Sequence, residues 1–399
     1  MRNSLELADI FRLHGEAYRA KHGAQMPIHQ HKAMRAIEVC RTAALGGHID
    51  CCDQCGACRI SYNSCRNRHC PKCQSLPRER WIESQKEDLL PVGYFHVVFT
   101  LPQALRPIAL RNPQVVYNIL FQAASRTLLE LAKDPKYLGA DIGVTALLHT
   151  WSQTLMDHPH LHCLVPSGGL SEDQTQWVSS GKRFFLPEKV MAGLFRGKFL
   201  DALKKAYQTE RLTFCGTISH LSYPGAFNGW LSKLYRTDWI VHCERPFGGP
   251  QQVIDYLGRY THRVAISNAR LVSLEDGQVT FTYLDRKDDN KRKLMILPVE
   301  EFIRRFLLHI LPPGFVKIRH YGLLSTKHRR TRLKRAQELL GKPIQTQTPT
   351  PLSYQELFLR LTGVDLTVCP HCQRGTMIPM QVLMPRSSHP PALAVRLCA

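Results

Sequence analysis

The chain has 399 residues, 44% of them hydrophobic, and carries 53 Lys and Arg against 32 Asp and Glu, a formal net charge of +21. That length buries a real core and divides into two or three domains, and the charge requires a polyanionic partner. No apolar run approaches the roughly 20 residues of a membrane span, and the start from Met1 to Leu7 has no signal-peptide core, so nucleic acid in a cytoplasmic compartment is the expected partner and a membrane is not.

Residues 4 to 22 read as an amphipathic helix, with Leu5, Ile10, Leu13 and Tyr18 on its apolar stripe and Gly23 as its stop. A second helix is expected from His29 to Ala44, with Met34, Ile37, Val39 and Cys40 inward. Seven of the 14 cysteines then crowd between Cys51 and Cys73. In an intracellular protein such a cluster is read as metal ligands rather than disulfides. Two CxxC knuckles, Cys52/Cys55 and Cys70/Cys73, stand a zinc-ribbon loop apart and predict one closed, structural zinc site. His48, Cys58, Cys65 and His69 either assemble a second site or simply pack. Arg59, Arg66, Arg68 and Lys72 would give this module a basic face for phosphate contacts, so it is expected to grip DNA rather than cut it.

Helical composition from Arg78 to Leu90 leads into a strand from Gly93 to Thr100, ended by Pro102. A helix is predicted over residues 113–133 and a strand from Ile142 to Thr150. The turn Met156-Asp157-His158-Pro159 then enters the strand His160-Leu161-His162-Cys163-Leu164-Val165. Residues two apart share a strand face, so His160 and His162 present adjacent imidazoles while Leu161 turns into the core. A His-x-His pair on a strand is a rigid mount for a divalent ion. The hairpin is expected to lay Gln153 across from the pair as third ligand, with Asp157 competing and an ordinary polar strand residue as the plainer reading of Gln153.

A basic helix over 185–208 and a strand from Trp239 to His242 precede the Gly/Pro loop Pro246 to Pro250. The next helix, Val253 to Val264, holds Tyr256 and Tyr260 one turn apart on one face, among Arg259, His262 and Arg263. A phenol becomes a useful nucleophile when a nearby cation or metal stabilises its phenolate.

His160-Leu161-His162 with Tyr256-x-x-x-Tyr260 resembles the His-hydrophobe-His and paired-tyrosine motifs of HUH endonucleases. The whole arrangement is similar to the two-tyrosine rolling-circle transposases of bacterial insertion sequences, whose N-terminal zinc-binding domain has a signature like Tyr62 to Cys73. Further matches are His158 to Gly169, Tyr256 to Leu271 and Lys317 to Gly322, so the resemblance spans roughly residues 5 to 340. It implies a catalytic magnesium or manganese at His160 and His162, nucleophilic Tyr256 and Tyr260, and 5′-phosphotyrosine intermediates. The implied partners are the DNA of the element ends and target, single-stranded at the cleavage site, in the bacterial nucleoid.

Beyond this, residues 277 to 297 read as a two-stranded ribbon and Phe302 to Ile310 as a helix. Lys317 to Arg335 carries eight Lys or Arg, Arg329 and Arg330 among them, and no acid, a density suited to phosphate. Gln345 to Pro351 reads as a linker, Cys369-Pro370-His371-Cys372 as half a zinc knuckle without an evident partner, and the end from Pro379 as poorly ordered. The expected fold is α+β, an HUH-type antiparallel sheet with flanking helices behind a small zinc-ribbon-like module. Its expected parts are residues 1–85 (helices and zinc module), 86–275 (catalytic), 276–344 (basic) and 345–399 (linker and tail). A replication initiator or relaxase would share the chemistry, and a non-enzymatic zinc regulator would share the charge and cysteines. Sequence leaves open the recognised DNA sites, a homo-oligomer and the number of zinc ions.

Overall fold

The computed structural model describes residues 5–181, 186–247, 252–253, 265–285, 288–341 and 352–385. Helices α1 (Leu7–His22) and α2 (Ile28–Glu38) lead into a hairpin of β1 (Gly47–Cys52) and β2 (Cys58–Tyr62). Next come α3 (Ser75–Lys86), β3 (Tyr94–Thr100), α4 (Arg106–Arg111), α5 (Pro113–Lys133) and the hairpin of β4 (Gly143–Trp151) with β5 (Asp157–Pro166). The short pair β6 (Gly168–Leu170) and β7 (Trp177–Ser179) precedes α6 (Glu188–Gln208), α7 (Pro224–Arg236) and β8 (Ile240–Phe247). A meander of β9 (Leu271–Glu275), β10 (Gln278–Asp285) and β11 (Lys291–Pro298) is closed by α8 (Val299–Leu307). The last described elements are β12 (Ile318–Gly322), α9 (Lys334–Leu339), α10 (Tyr354–Thr362) and β13 (Met377–Leu383).

Period-two patterning builds the central sheet, five antiparallel strands in the order β12-β4-β5-β3-β8. Phe95, Val97 and Phe99 of β3, Val144, Ala146 and Leu148 of β4, and Leu161, Cys163 and Val165 of β5 all enter one buried core. The alternate residues, among them His96, His149, His160 and His162, therefore line the opposite face. Helices α5, α6 and α7 cover the apolar face. In α5, Pro113 occupies the first turn, where its missing N–H is no loss, and Val116, Leu120, Ala124, Leu128 and Leu131 are buried. The antiparallel α+β architecture matches the sequence expectation.

A second core joins the two ends of the sequence rather than closing within either. Phe11 of α1 meets Phe306 of α8 edge-on at 5.5 Å, and Phe281 of β10 packs on Phe302. Ile10, Met34, Ile37 and Cys70 belong to the same cluster. The N-terminal helices thus rest on the meander, which has three strands where sequence suggested two, because Leu271 to Glu275 pairs with β10. Other expectations also change. Helix α2 stops at Glu38, well before Ala44, and Arg41 adopts a φ of 56° in the turn that follows. Of the end expected to be poorly ordered from Pro379, residues 379–383 belong instead to strand β13, paired antiparallel with β1, and residues 386–399 lie outside the described residues. No helix among the described residues is long and apolar enough to cross a membrane.

Arg68 locks the cysteine-rich segment to this body. Its guanidinium donates to the carbonyls of Pro312 (2.7 Å), Leu311 (3.3 Å) and Phe315. Those carbonyls follow the end of α8, where Pro312 and Pro313 interrupt helical bonding, so a five-donor planar cation satisfies what the backbone leaves open. Burial and the loss of water pull the Arg68 pKa down from its ordinary value. Replacing Arg68 by Ala strands these acceptors and is expected to cost roughly 2 kcal/mol of folding stability. Chemical denaturation measures that loss, and Arg68→Lys should recover only part of it.

Candidate metal centres

The structure pairs the cysteines differently from the sequence reading. Cys40, Cys65, Cys70 and Cys73 form one cluster, and Cys52, Cys55, Cys369 and Cys372 form another, each with its sulfurs within 4.8 Å of one another. The knuckles Cys52/Cys55 and Cys70/Cys73 therefore do not share a site. Strand β2 and the loop after it carry Cys65 and the second knuckle to the end of α2, where Cys40 waits. In the first cluster Cys40 and Cys65 each lie 3.5 Å from Cys73, and Cys70 lies 3.7 Å from Cys40. Zinc–sulfur bonds of about 2.3 Å put the corners of a tetrahedron about 3.8 Å apart, so this spacing fits a closed zinc site. Hydrogen bonds among the four thiols pull in opposite directions, lowering the pKa of Cys73 and Cys40 and raising that of Cys65 and Cys70, as expected of crowded thiols that share their protons.

Of the weaker candidates, Cys65 joins a cluster and the other three do not. Cys58 is disulfide-bonded to Cys51, its directly opposed neighbour across the β1–β2 pair. His48 stands on β1 with its ring near Asp50 (3.4 Å). His69 turns instead to its neighbour Arg68, its Nε2 accepting from Arg68 Nε at 3.3 Å. Burial, with Arg68 and Lys317 nearby, pushes the His69 pKa down to about 3, so it stays neutral. Cys40, at the end of α2, was read as a packed core residue because nothing in local spacing links it to a knuckle 30 residues away.

A third cluster lies on the polar face of the central sheet. His149, His160 and His162 bring one ring nitrogen each within 4.8 Å of the others. Register explains it: His160 sits opposite His149 across β4–β5, and His162 follows two residues on. The same register corrects the Gln153 expectation. The last paired residues are Trp151 and Asp157, so Gln153 lies in the turn beyond the ladder. Its carbonyl there accepts from Arg270. His149 occupies the third position, and the signal for it was a histidine of the right parity in the partner strand.

Hydrogen bonding sets the tautomers. His160 Nδ1 lies 2.6 Å from the His158 carbonyl, which can only accept, so Nδ1 carries the proton and Nε2 the lone pair. His96 Nδ1 lies 2.8 Å from Glu244 Oε2, and His96 Nε2 lies 2.8 Å from His162 Nδ1. With the carboxylate accepting from His96 Nδ1–H, the tautomer of His96 that has its lone pair on Nε2 accepts in turn from His162 Nδ1. The lone pair of His162 is thereby placed on Nε2, as metal coordination requires. The relay crosses three adjacent strands, β8, β3 and β5.

Tyr256, Tyr260, Arg259, His262 and Arg263 lie outside the described residues. Val253, three residues before Tyr256, is buried in one cluster with Leu147 and Leu164. Leu147 is the register partner of His162. Among the basic candidates, Arg66 and Arg330 are exposed. Lys72 pairs with Glu6, and Arg329 with Asp88 at 2.7 Å. Arg68 and Lys72 are thus engaged within the protein rather than displayed, since carbonyl and carboxylate acceptors lie within their reach.

Comparison with known proteins follows this layout. Residues 10–101 match the family model described as "Transposase zinc-binding domain", and residues 143–332 the one described as "Putative transposase". The chain is 50% identical over 383 residues to "Putative transposase y4qJ" of Sinorhizobium fredii, covering 96% of each. It is 28% identical over 318 residues to "Transposase for insertion sequence element IS801" of Pseudomonas savastanoi pv. phaseolicola, covering 79% of this chain and 74% of that one. No solved structure matches the chain.

Asp157, the competing ligand by sequence, belongs to the other parity of β5 and is buried on the helix-covered side. Neither carboxylate oxygen has a hydrogen-bond partner. Burial raises its pKa to about 7, against a smaller opposing pull from Arg106. The folded state therefore holds a proton that the unfolded chain has lost, and stability falls as pH rises from about 4 through 7. Asp157→Asn should raise stability by about 2 kcal/mol at pH 8. Thermal melts should show that advantage vanish by about pH 3, where the Asp157 carboxyl is protonated in both the folded and the unfolded chain.

Proposed function

The chain belongs to the IS91-type insertion-sequence transposases with an N-terminal zinc-binding domain, and we propose that it cuts and rejoins single-stranded DNA through tyrosine in rolling-circle transposition. The observation that carries this reading is the convergence of His149, His160 and His162 on one sheet face. Val253, three residues before Tyr256 in sequence, is buried against Leu147 and Leu164 on that same face. Three imidazoles are a softer ligand set than the oxygen shell magnesium prefers, so the histidines fit manganese better than magnesium, with open positions left for oxygen ligands. Bound there, the ion would polarise the scissile phosphate.

The chain's own groups have definite roles in this scheme. Tyr256 or Tyr260 loses its phenolic proton and attacks phosphorus. A phosphotyrosine bond to the 5′ end forms as the bond to the 3′ oxygen breaks, and that oxygen takes a proton. Arg259, His262 and Arg263 offset the negative charge that develops. Two tyrosines four residues apart in sequence would let one hold the first end while the other makes the second cut. His96 and Glu244 orient His162 without touching substrate. Cys40, Cys65, Cys70 and Cys73 hold the structural zinc, and Arg66 and Arg330 contact phosphate.

Tyr256→Phe and Tyr260→Phe remove only the hydroxyl. Each single variant should still nick a single-stranded oligonucleotide but fail at complete strand transfer. The double variant should form no covalent adduct on a denaturing gel, and an adduct there would exclude tyrosine as the attacking group. His149→Ala and His160→Ala should each abolish cleavage, whereas Gln153→Ala should change it less than about threefold. Glu244→Gln should weaken the ion's apparent affinity about 10- to 100-fold, read from the magnesium or manganese dependence of cleavage. Mild EDTA should stop cleavage reversibly while thiolate-bound zinc stays, and failure of added magnesium or manganese to restore zinc-loaded protein would sink the two-metal scheme.

A further inference from the structure

The four cysteines Cys52, Cys55, Cys369 and Cys372 come from segments more than 300 residues apart, Cys55 and Cys369 being separated by 314. The match to the transposase zinc-binding domain ends at residue 101 and contains neither Cys369 nor Cys372. Cys52 and Cys372 have sulfurs 3.6 Å apart, and Cys55 and Cys369 3.8 Å. This is the edge of a tetrahedron built on zinc–sulfur bonds of about 2.3 Å. Both turns have the form of a zinc knuckle. The amides of Gln54 and Cys55 point at Cys52 Sγ, that of His371 at Cys369 Sγ and that of Gly375 at Cys372 Sγ, all at 3.4–3.5 Å. A Cβ on Gly375 would collide with Cys52 Sγ, so glycine is required there.

Strand pairing continues the same arrangement. Cys52 is in register with Met377, and Asp53 exchanges bonds with Thr376, its amide donating to the Thr376 carbonyl and its Oδ1 accepting from the Thr376 amide. The sheet β13-β1-β2 has almost no apolar core of its own. Its buried cluster is Cys52, Cys369 and Met377, with Cys372 against it. The Cys51–Cys58 disulfide ties β1 to β2 but leaves β13 held by strand pairing and this small cluster, and four converging sulfurs supply the ligands for a staple that reaches it.

We propose that Cys52, Cys55, Cys369 and Cys372 bind a second structural zinc ion that clasps the C-terminal arm onto the N-terminal module, as a zinc ribbon split between the two ends of the sequence. The ion closes a very long loop, so the free energy of coordination is what offsets the entropy of holding the arm in place. This inference does not depend on the chemistry proposed for the histidines and tyrosines.

The test counts metal in the full-length chain, purified with reductant, washed with mild EDTA and exchanged into magnesium. Native mass spectrometry should find two zinc ions in the wild type and one in Cys369→Ser/Cys372→Ser. Cys372→His, which keeps four ligands, should retain both. Amides of Met377–Leu383 should exchange at least about tenfold faster in the double-serine variant. Two equivalents of cobalt showing thiolate charge-transfer absorption in the wild type decide the matter if that variant does not fold. One zinc ion in the reduced wild type overturns the proposal, as do two in the double-serine variant. Disulfides joining the Cys52/Cys55 knuckle to Cys369/Cys372 that survive purification with reductant, mapped by peptide mass spectrometry, would overturn it too.

Discussion

Alternation along β5 is the constraint on which the rest of the molecule depends. Leu161, Cys163 and Val165 are buried under the helices, so His160 and His162 have only the other face to occupy. A slip of one residue in the β4–β5 register would put both imidazoles into a hydrocarbon core and the leucines into the site. The apolar packing therefore fixes the chemistry: the area buried by Phe95, Phe99, Leu148 and Leu161 is what holds three histidines together. Once the register is set, His149 falls opposite His160 and His96 falls within reach of His162.

Around that sheet, polar groups act as joints between parts of the chain distant in sequence. Arg68 reaches from the cysteine-rich segment to carbonyls near Pro312, and Thr150 meets His309 at 3.2 Å. His309 in turn bonds the Leu155 carbonyl, and burial drops its pKa to about 4. A histidine kept neutral in this way serves as a hydrogen-bonding spacer rather than a charge. The net charge of +21 is accordingly not spread evenly over outward-facing side chains: several cations are committed to internal bonds, while others, Arg66 and Arg330 among them, face solvent.

The cysteines follow a similar economy. A small module with a thin apolar core relies on metal, because two short strands and a few turns bury too little surface to stand alone. Cys40 at the end of α2 couples the first cluster to the helices, and through Phe11 and Phe306 to the meander. The N-terminal module is thus built into the body of the protein by packing as well as by coordination.

Much of the site was legible in sequence because the signals were local. His160-Leu161-His162 announces its own geometry through strand parity, and a CxxC turn needs only four residues to present two thiolates. The α+β class followed from periodicity for the same reason. Partnership was not legible. Which knuckle meets which, that Cys40 completes one cluster, and that Cys369 and Cys372 find Cys52 and Cys55 are consequences of how distant segments pack. Gln153 yielded to His149 because hairpin register depends on where the ladder ends, and it ends at Trp151 and Asp157. Arg68 looked like a phosphate contact since its charge is visible in sequence, whereas the carbonyls that claim it come together only in the folded chain. Short-range stereochemistry determined the ligand types and their faces; long-range packing alone decided their companions, because sequence separation carries no information about distance once a chain is compact.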